Sequence, residues 1–114
     1  MLKACFKALD FGDEYVNQNV AFCVGLIVEN GGEVTFPHYK DIMGKLRVIY
    51  ENSVLAHTKD NAIAAIARMV YSNPSAVPLS MIVPPIIKEM PLQADPKENR
   101  TLIKMLVCLF ETSI

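Results

Sequence analysis

Three asparagine-led segments set the terms on which this chain can fold. Asn19 opens Asn-Val-Ala-Phe-Cys-Val-Gly-Leu, Asn61 opens Asn-Ala-Ile-Ala-Ala-Ile-Ala-Arg 42 positions later, and Asn99 opens Asn-Arg-Thr-Leu-Ile-Lys-Met-Leu after 38 more. Each is an apolar stretch led by a polar residue, so the chain repeats one kind of unit about every 40 residues. A unit of that size cannot bury its own apolar face and must stack on its neighbours. With 114 residues there is room for one continuous core and none for a second domain closing a cleft.

The period within each unit is helical. Val16, Val20, Cys23, Val24, Ile27 and Val28 share one helical face, and the run stops at Asn30-Gly31-Gly32, which predicts a helix over 13–30. Tyr39, Ile42, Met43, Leu46, Ile49 and Tyr50 form a second stripe, entered through Phe36-Pro37, over 37–51. Asp60 to Tyr71 is alanine-rich and apolar nearly all round, the pattern of a helix covered on more than one side. Leu79 to Met90 reads as a fourth element, in which Pro84 and Pro85 should kink or restart the helix. From 95 to 112, Leu102, Ile103, Leu106, Leu109 and Phe110 share a face behind Asp95-Pro96, a natural cap and first-turn pair. Sustained alternation and Asn-Gly hairpin turns are absent, so the expected fold is all-α.

A helical repeat of about 40 residues matches the HEAT or armadillo unit. The expected architecture is a HEAT-repeat α-solenoid with about two full helix pairs and a half repeat at each end. Residues 1–10 would end a preceding repeat, 13–52 and 57–92 would be repeats, and 95–114 would start a following one. Neither end carries the polar outer face of a capping repeat, so the expectation is a piece of a longer solenoid.

Composition narrows the partners. Apolar residues make up 52% of the chain and charged residues 20%, the balance of a chain that folds. A net charge of -1 lacks the basic footprint of a nucleic-acid binder or a membrane-surface segment. No apolar run reaches the roughly 18–20 residues of a spanning helix, and 1–10 does not read as a signal peptide. Cys5, Cys23 and Cys108 are odd in number and set in apolar sequence, so reduced core thiols are expected. Met43, Met69, Met81, Met90 and Met105 are expected between repeats.

The motifs then resemble a known family. Asp60-Asn61-Ala62-Ile63-Ala64-Ala65-Ile66-Ala67-Arg68-Met69 resembles the D-N-x-x-x-A-x-A-R-hydrophobic string of importin-β-type karyopherins, in the branch carrying ribosomal proteins and histones. Pro91 to Asn99 is similar to that branch's P-L-x-x-D-x-x-E segment between repeats, and Asn19 to Gly32 followed by Phe36-Pro37 to its N-A-x-x-x-G-x-L…G-G…F-P pattern. Two features depart from it: Lys97-Glu98 stands where many relatives have two acids, and Pro84-Pro85 where one proline is usual. The resemblance implies a C-terminal segment of a nuclear transport receptor. Its partners would be basic protein cargo (ribosomal proteins or histones), the GTPase Ran acting through the full-length receptor, and nuclear pore proteins, in cytoplasm and nucleus.

The same resemblance implies where cargo is held. That branch grips lysines with acidic and amide side chains, which supply charge and direction, and Asp60, Asn61, Glu98 and Asn99 match such positions near helix starts. The competing structural role is that Asp60, Asn61 and Asn99 cap helices or link repeats, while Glu98 is a solvated first-turn acid. Catalysis and cofactors are not expected. His38 and His57 lack companions at metal-ligand spacing, the cysteines lie on buried stripes, and Gly31-Gly32 is a helix stop. Arg47, Lys40, Lys45 and Lys88 could meet acidic surfaces or simply be solvated. The alternative function is a HEAT scaffold of another assembly, indifferent to Ran-GTP. The exposed ends would allow the isolated fragment to self-associate.

Overall fold

The computed structural model describes residues 2–9 and 13–112. Its described residues form six α-helices: α1 (Leu2–Ala8), α2 (Glu14–Gly31), α3 (Tyr39–Asn52), α4 (Ala56–Ser72), α5 (Leu79–Lys88) and α6 (Asn99–Thr112). Short 3-10 turns at Gly32–His38, Pro74–Ala76 and Pro96–Glu98 join them. No strand occurs among the described residues, and none of their helices is long and apolar enough to cross a membrane.

The start and end of α2 show how local chemistry sets the boundaries. Asp13 Oδ1 accepts the backbone N–H groups of Tyr15 and Val16 at 2.8 and 3.0 Å, satisfying two orphan donors of the first turn. At the other end Gly32 takes φ 56°, a left-handed conformation that glycine adopts without a Cβ penalty. Thr35 and Pro37 lie in the 3-10 turn that follows, and Thr35 Oγ1 donates to Gly32 O at 2.7 Å. Proline thus leads into α3 as expected, with the α-helix beginning at Tyr39.

The repeat in the sequence reappears as a spacing between partners. Hydrogen bonds joining α2 to α4 and its approach connect residues 39 to 41 apart, from Glu14 near one end to Glu29 near the other. A constant separation means that α2 and α4 run parallel. Bonds from α4 to α6 and its approach span 30 to 37 residues, again in parallel order. α2, α4 and α6 therefore form one layer. α3 runs the other way, its Tyr39 hydroxyl donating to Met69 O at the far end of α4 at 3.3 Å. α1 lies beside α3, with Lys45 Nζ 5.7 Å from the Phe6 ring centroid.

Within the first layer α2 and α4 make the most extensive contact. Small residues permit it: a Cβ built on Gly25 would lie 3.2 Å from the Ala65 Cα and Cβ. Ala62, Ala64, Ala65 and Ala67 are fully buried, as the all-round apolar pattern requires. Ile42 and Leu46 of α3, with Leu102 and Met105 of α6, close the core on either side. Each large side chain so buried contributes roughly 1.5–3 kcal/mol. α3 packs more extensively on α4, which follows it, than on α2, and α1 packs on α2.

Several expectations need correction. α5 is one uninterrupted helix through Pro84 and Pro85, both exposed. Pro84 and Pro85 are the sixth and seventh of its ten residues, so the helix forgoes the bonds to Ser80 O and Met81 O and yet does not restart. α4 begins at Ala56, four residues before the apolar run, because its first turn faces outward at Ala56 and His57. Asp95 makes no side-chain cap and turns instead to His57 Nε2 at 3.2 Å. Cys23 is exposed, and Cys5 and Cys108 are half-buried; all three thiols are free. Met69 and Met105 are core, whereas Met81 is 68% exposed on α5.

Candidate functional site

A cluster of buried polar side chains lies in the layer formed by α2, α4 and α6, and Arg68 is its hub. Its guanidinium is nearly buried, yet every nitrogen finds a carboxylate oxygen. Nη1 and Nη2 donate to Glu98 Oε2 and Oε1 at 2.8 and 2.9 Å, and Nε donates to Glu29 Oε2 at 3.0 Å. The fork of a guanidinium matches a carboxylate in this way, and burial strengthens the pairing. Glu98 also accepts from the Thr101 hydroxyl at 3.0 Å, while Lys104 Nζ lies 3.5 Å from Glu29 Oε1. One arginine on α4 therefore ties the end of α2 to the approach of α6.

Tyr71 completes the cluster. Burial raises its phenol pKa, and so does the hydrogen bond from its hydroxyl to Glu29. The Lys104 ammonium sits 4.6 Å from its ring centroid. For Glu29, burial pushes the pKa up, but the hydrogen bonds from Tyr71 and Arg68 outweigh it and hold the carboxyl below its ordinary range. Arg68 shows the reverse balance: burial disfavours its charge, and the bonds to Glu98 restore it.

A second device recurs at both junctions. Glu14, first in α2, accepts with Oε1 from the Ser53 hydroxyl at 2.6 Å and from the backbone N–H groups of Val54 and Leu55 at 2.8 and 2.9 Å. The bond from Ser53 is the largest influence holding its carboxyl below the ordinary range. Asp60, early in α4, does the same one repeat later, with Oδ2 accepting from Ala94 and Asp95 N–H at 3.1 and 2.9 Å. An acid at the head of one helix thus fastens the linker leading into the next parallel helix.

The four residues singled out from sequence fall into this scheme. Asp60 and Glu98 are 9% and 6% exposed, and both are bonded as described. Asn99 uses both ends of its amide on one residue: Oδ1 accepts from Leu92 N–H at 2.8 Å and Nδ2 donates to Leu92 O at 3.1 Å. Asn61 is 4% exposed, and its Oδ1 has no hydrogen-bond partner among the described residues. Asp60, Glu98 and Asn99 thus gather about the approach to α6. Glu98 is not a solvated first-turn acid, because Arg68 draws it inward. Sequence reasoning passed over Glu14, Glu29 and Tyr71. The signal available for Glu29 was Arg68, a charge within the apolar run of α4 that needed an acid partner; nothing in the sequence marked Glu14.

Sequence comparison adds kin to this geometry. The chain is 30% identical over 103 residues, 90% of its length, to a protein of Schizosaccharomyces pombe named probable importin subunit beta-4. It is 25% identical over 113 residues, 99% of its length, to Importin-4 of Homo sapiens. The likenesses support the importin-β family. Importin-4 of Mus musculus is similar at 24% identity over 90 residues. The chain spans about a tenth of the length of these relatives (10%, 10% and 8%). No family model and no solved structure matches it. Parallel layered helices repeating every 40 or so residues, in a chain similar to importins, constitute a HEAT-repeat α-solenoid.

Proposed function

We propose that this chain is a segment of a nuclear import receptor that binds basic protein cargo and carries it through the nuclear pore under Ran-GTP control. The observation that carries the reading is similarity to Importin-4 along 99% of the chain. The cargo would be ribosomal proteins or histones, the further partners Ran and nuclear pore proteins, and the protein would move between cytoplasm and nucleus. A stack of nearest-neighbour contacts changes curvature at small cost per repeat, which suits a receptor that must wrap and release.

Within it, Asp60, Glu98 and Asn99 act on cargo through the shape of the α2–α4–α6 layer. Their burial and internal bonds support this role over direct grip. Asn61 is the member of the four with an acceptor to spare. The repeats would divide at 13–52 and 57–92, with α6 opening a following one; the contact of α5 with α4 supports the second unit, whereas α3 packs more on α4 than on α2.

A pull-down of the whole protein with basic histone tails, with and without Ran-GTP, tests the transport reading. Cargo should be released by Ran-GTP; retention indifferent to it would sink the reading and favour a HEAT scaffold of another assembly. At the residue level, Glu98→Gln should lower melting temperature and lysine-rich peptide affinity together. A loss of affinity with melting unchanged would make Glu98 a direct cargo contact instead.

A further inference from the structure

Away from the polar layer, α1 and α3 border a groove that the transport reading leaves unused. Two adjoining cavities of about 540 and 460 Å³ meet at Phe6 and Asp41, the larger walled by α1, the end of α2 and the 3-10 turn after it, the smaller by α1 and α3. The floor of the groove is apolar: Phe6 stands in both halves, with Val34 and Val48 exposed at either end. Its charges are Lys3, Lys40 and Lys45 against the single carboxylate of Asp41. A positive groove on a chain of net charge -1 is a local concentration of one sign.

We propose that this groove docks an acidic peptide segment carrying an apolar anchor. The lysines supply point charges for Asp or Glu side chains, and the Phe6 floor takes the anchor, the usual division between a polar rim and an apolar centre. Charge complementarity selects this occupant. A basic cargo tail would be repelled, so the groove is distinct from the cargo reading. A nucleic acid could also use the lysines and stack a base on Phe6, but Asp41 in both walls and the exposed Val34 and Val48 favour a peptide with an apolar side chain, and an oligonucleotide serves as the competing occupant in the test. Gly44 opens one half of the groove on an exposed turn of α3, where an added Cβ meets nothing within 4 Å. A large side chain there would fill the groove without straining the helix.

The test is fluorescence anisotropy of the 114-residue chain with a labelled synthetic peptide of Glu and Asp residues around one central Leu-Phe pair. A control peptide has Lys in place of every acid. The acidic peptide should bind at least about tenfold more tightly than the control. Lys40→Glu combined with Lys45→Glu should cut that affinity about tenfold. Gly44→Leu should weaken binding as well, with a melting temperature at or above that of the parent, so that loss of fold cannot explain the result. Equal binding of the two peptides would overturn the proposal, as would affinity unmoved by Gly44→Leu. An oligonucleotide binding as tightly as the acidic peptide, or dimers of the chain that occlude the groove, would overturn it in favour of those occupants.

Discussion

α4 and α5 stand side by side in the same solenoid and are held in opposite ways. Eleven of the 17 residues of α4 are buried, whereas Ile86 alone is buried among the ten of α5. α4 lies between α2, α3 and α6 and carries the arginine that joins its two parallel neighbours. α5 has two prolines, an exposed Met81 and a few contacts with α4. Stability in such a stack is not uniform along the chain, and the helix that is surrounded should hold while the peripheral one opens. For the change of curvature that the transport reading proposes, the difference teaches where movement is cheap.

The strongest way to break the contrast is to cut the hub of α4. Arg68→Met leaves Glu98 buried and unpaired and should cost about 3–5 kcal/mol in urea unfolding. Gly25→Val brings a branched side chain against the Ala65 backbone and should cost about 1–3 kcal/mol through overpacking. Ile86→Ala removes the buried anchor of α5 and should cost about 2 kcal/mol, with increased amide exchange confined to α5.

Acid should narrow the contrast between the two helices, because it loosens the bonds that fasten α2 to α4. Glu14 and Glu29 both have carboxyl pKa values held below the ordinary 4.5. Depressed values in the fold contribute stability that is fully present above pH 4.5 and disappears as pH falls through the lower folded values. Melting temperature should therefore stay level from neutral pH to about 5 and drop below it. Glu29→Gln should shallow that drop. The smallest expected effect belongs to Pro84→Ala, which restores a backbone donor on an exposed face. It should slow exchange in α5 and raise global stability by less than about 1 kcal/mol.

How much of this was legible beforehand follows the same division. The burial of α4 could be read directly, because Ala62 to Ala67 offer no polar face to water. The parallel stack could be read from the spacing of Asn19, Asn61 and Asn99. Asn19 and Asn61 each fall at the sixth residue of their helices, α2 and α4, although Asn19 is exposed and Asn61 buried. Motif positions near helix starts marked Asp60, Glu98 and Asn99 as special, but the bonds each would make were not written in the sequence. Those depend on Arg68, Leu92 and the linker at 94–95 arriving from other repeats. α5 was expected to kink or restart at Pro84-Pro85 because proline removes interior bonds; the restart does not occur, and the helix runs through both.

Native-state hydrogen exchange on the 114-residue chain tests the central contrast most directly. Amides in the middle of α4, from Ala62 to Val70, should exchange only through global unfolding, with a denaturant dependence equal to that of the whole chain. The amides of α5 should exchange through a local opening of lower energy and weak denaturant dependence. Equal protection of α4 and α5, or earlier exchange in α4, would contradict the account of a surrounded, arginine-fastened helix beside a loosely held one.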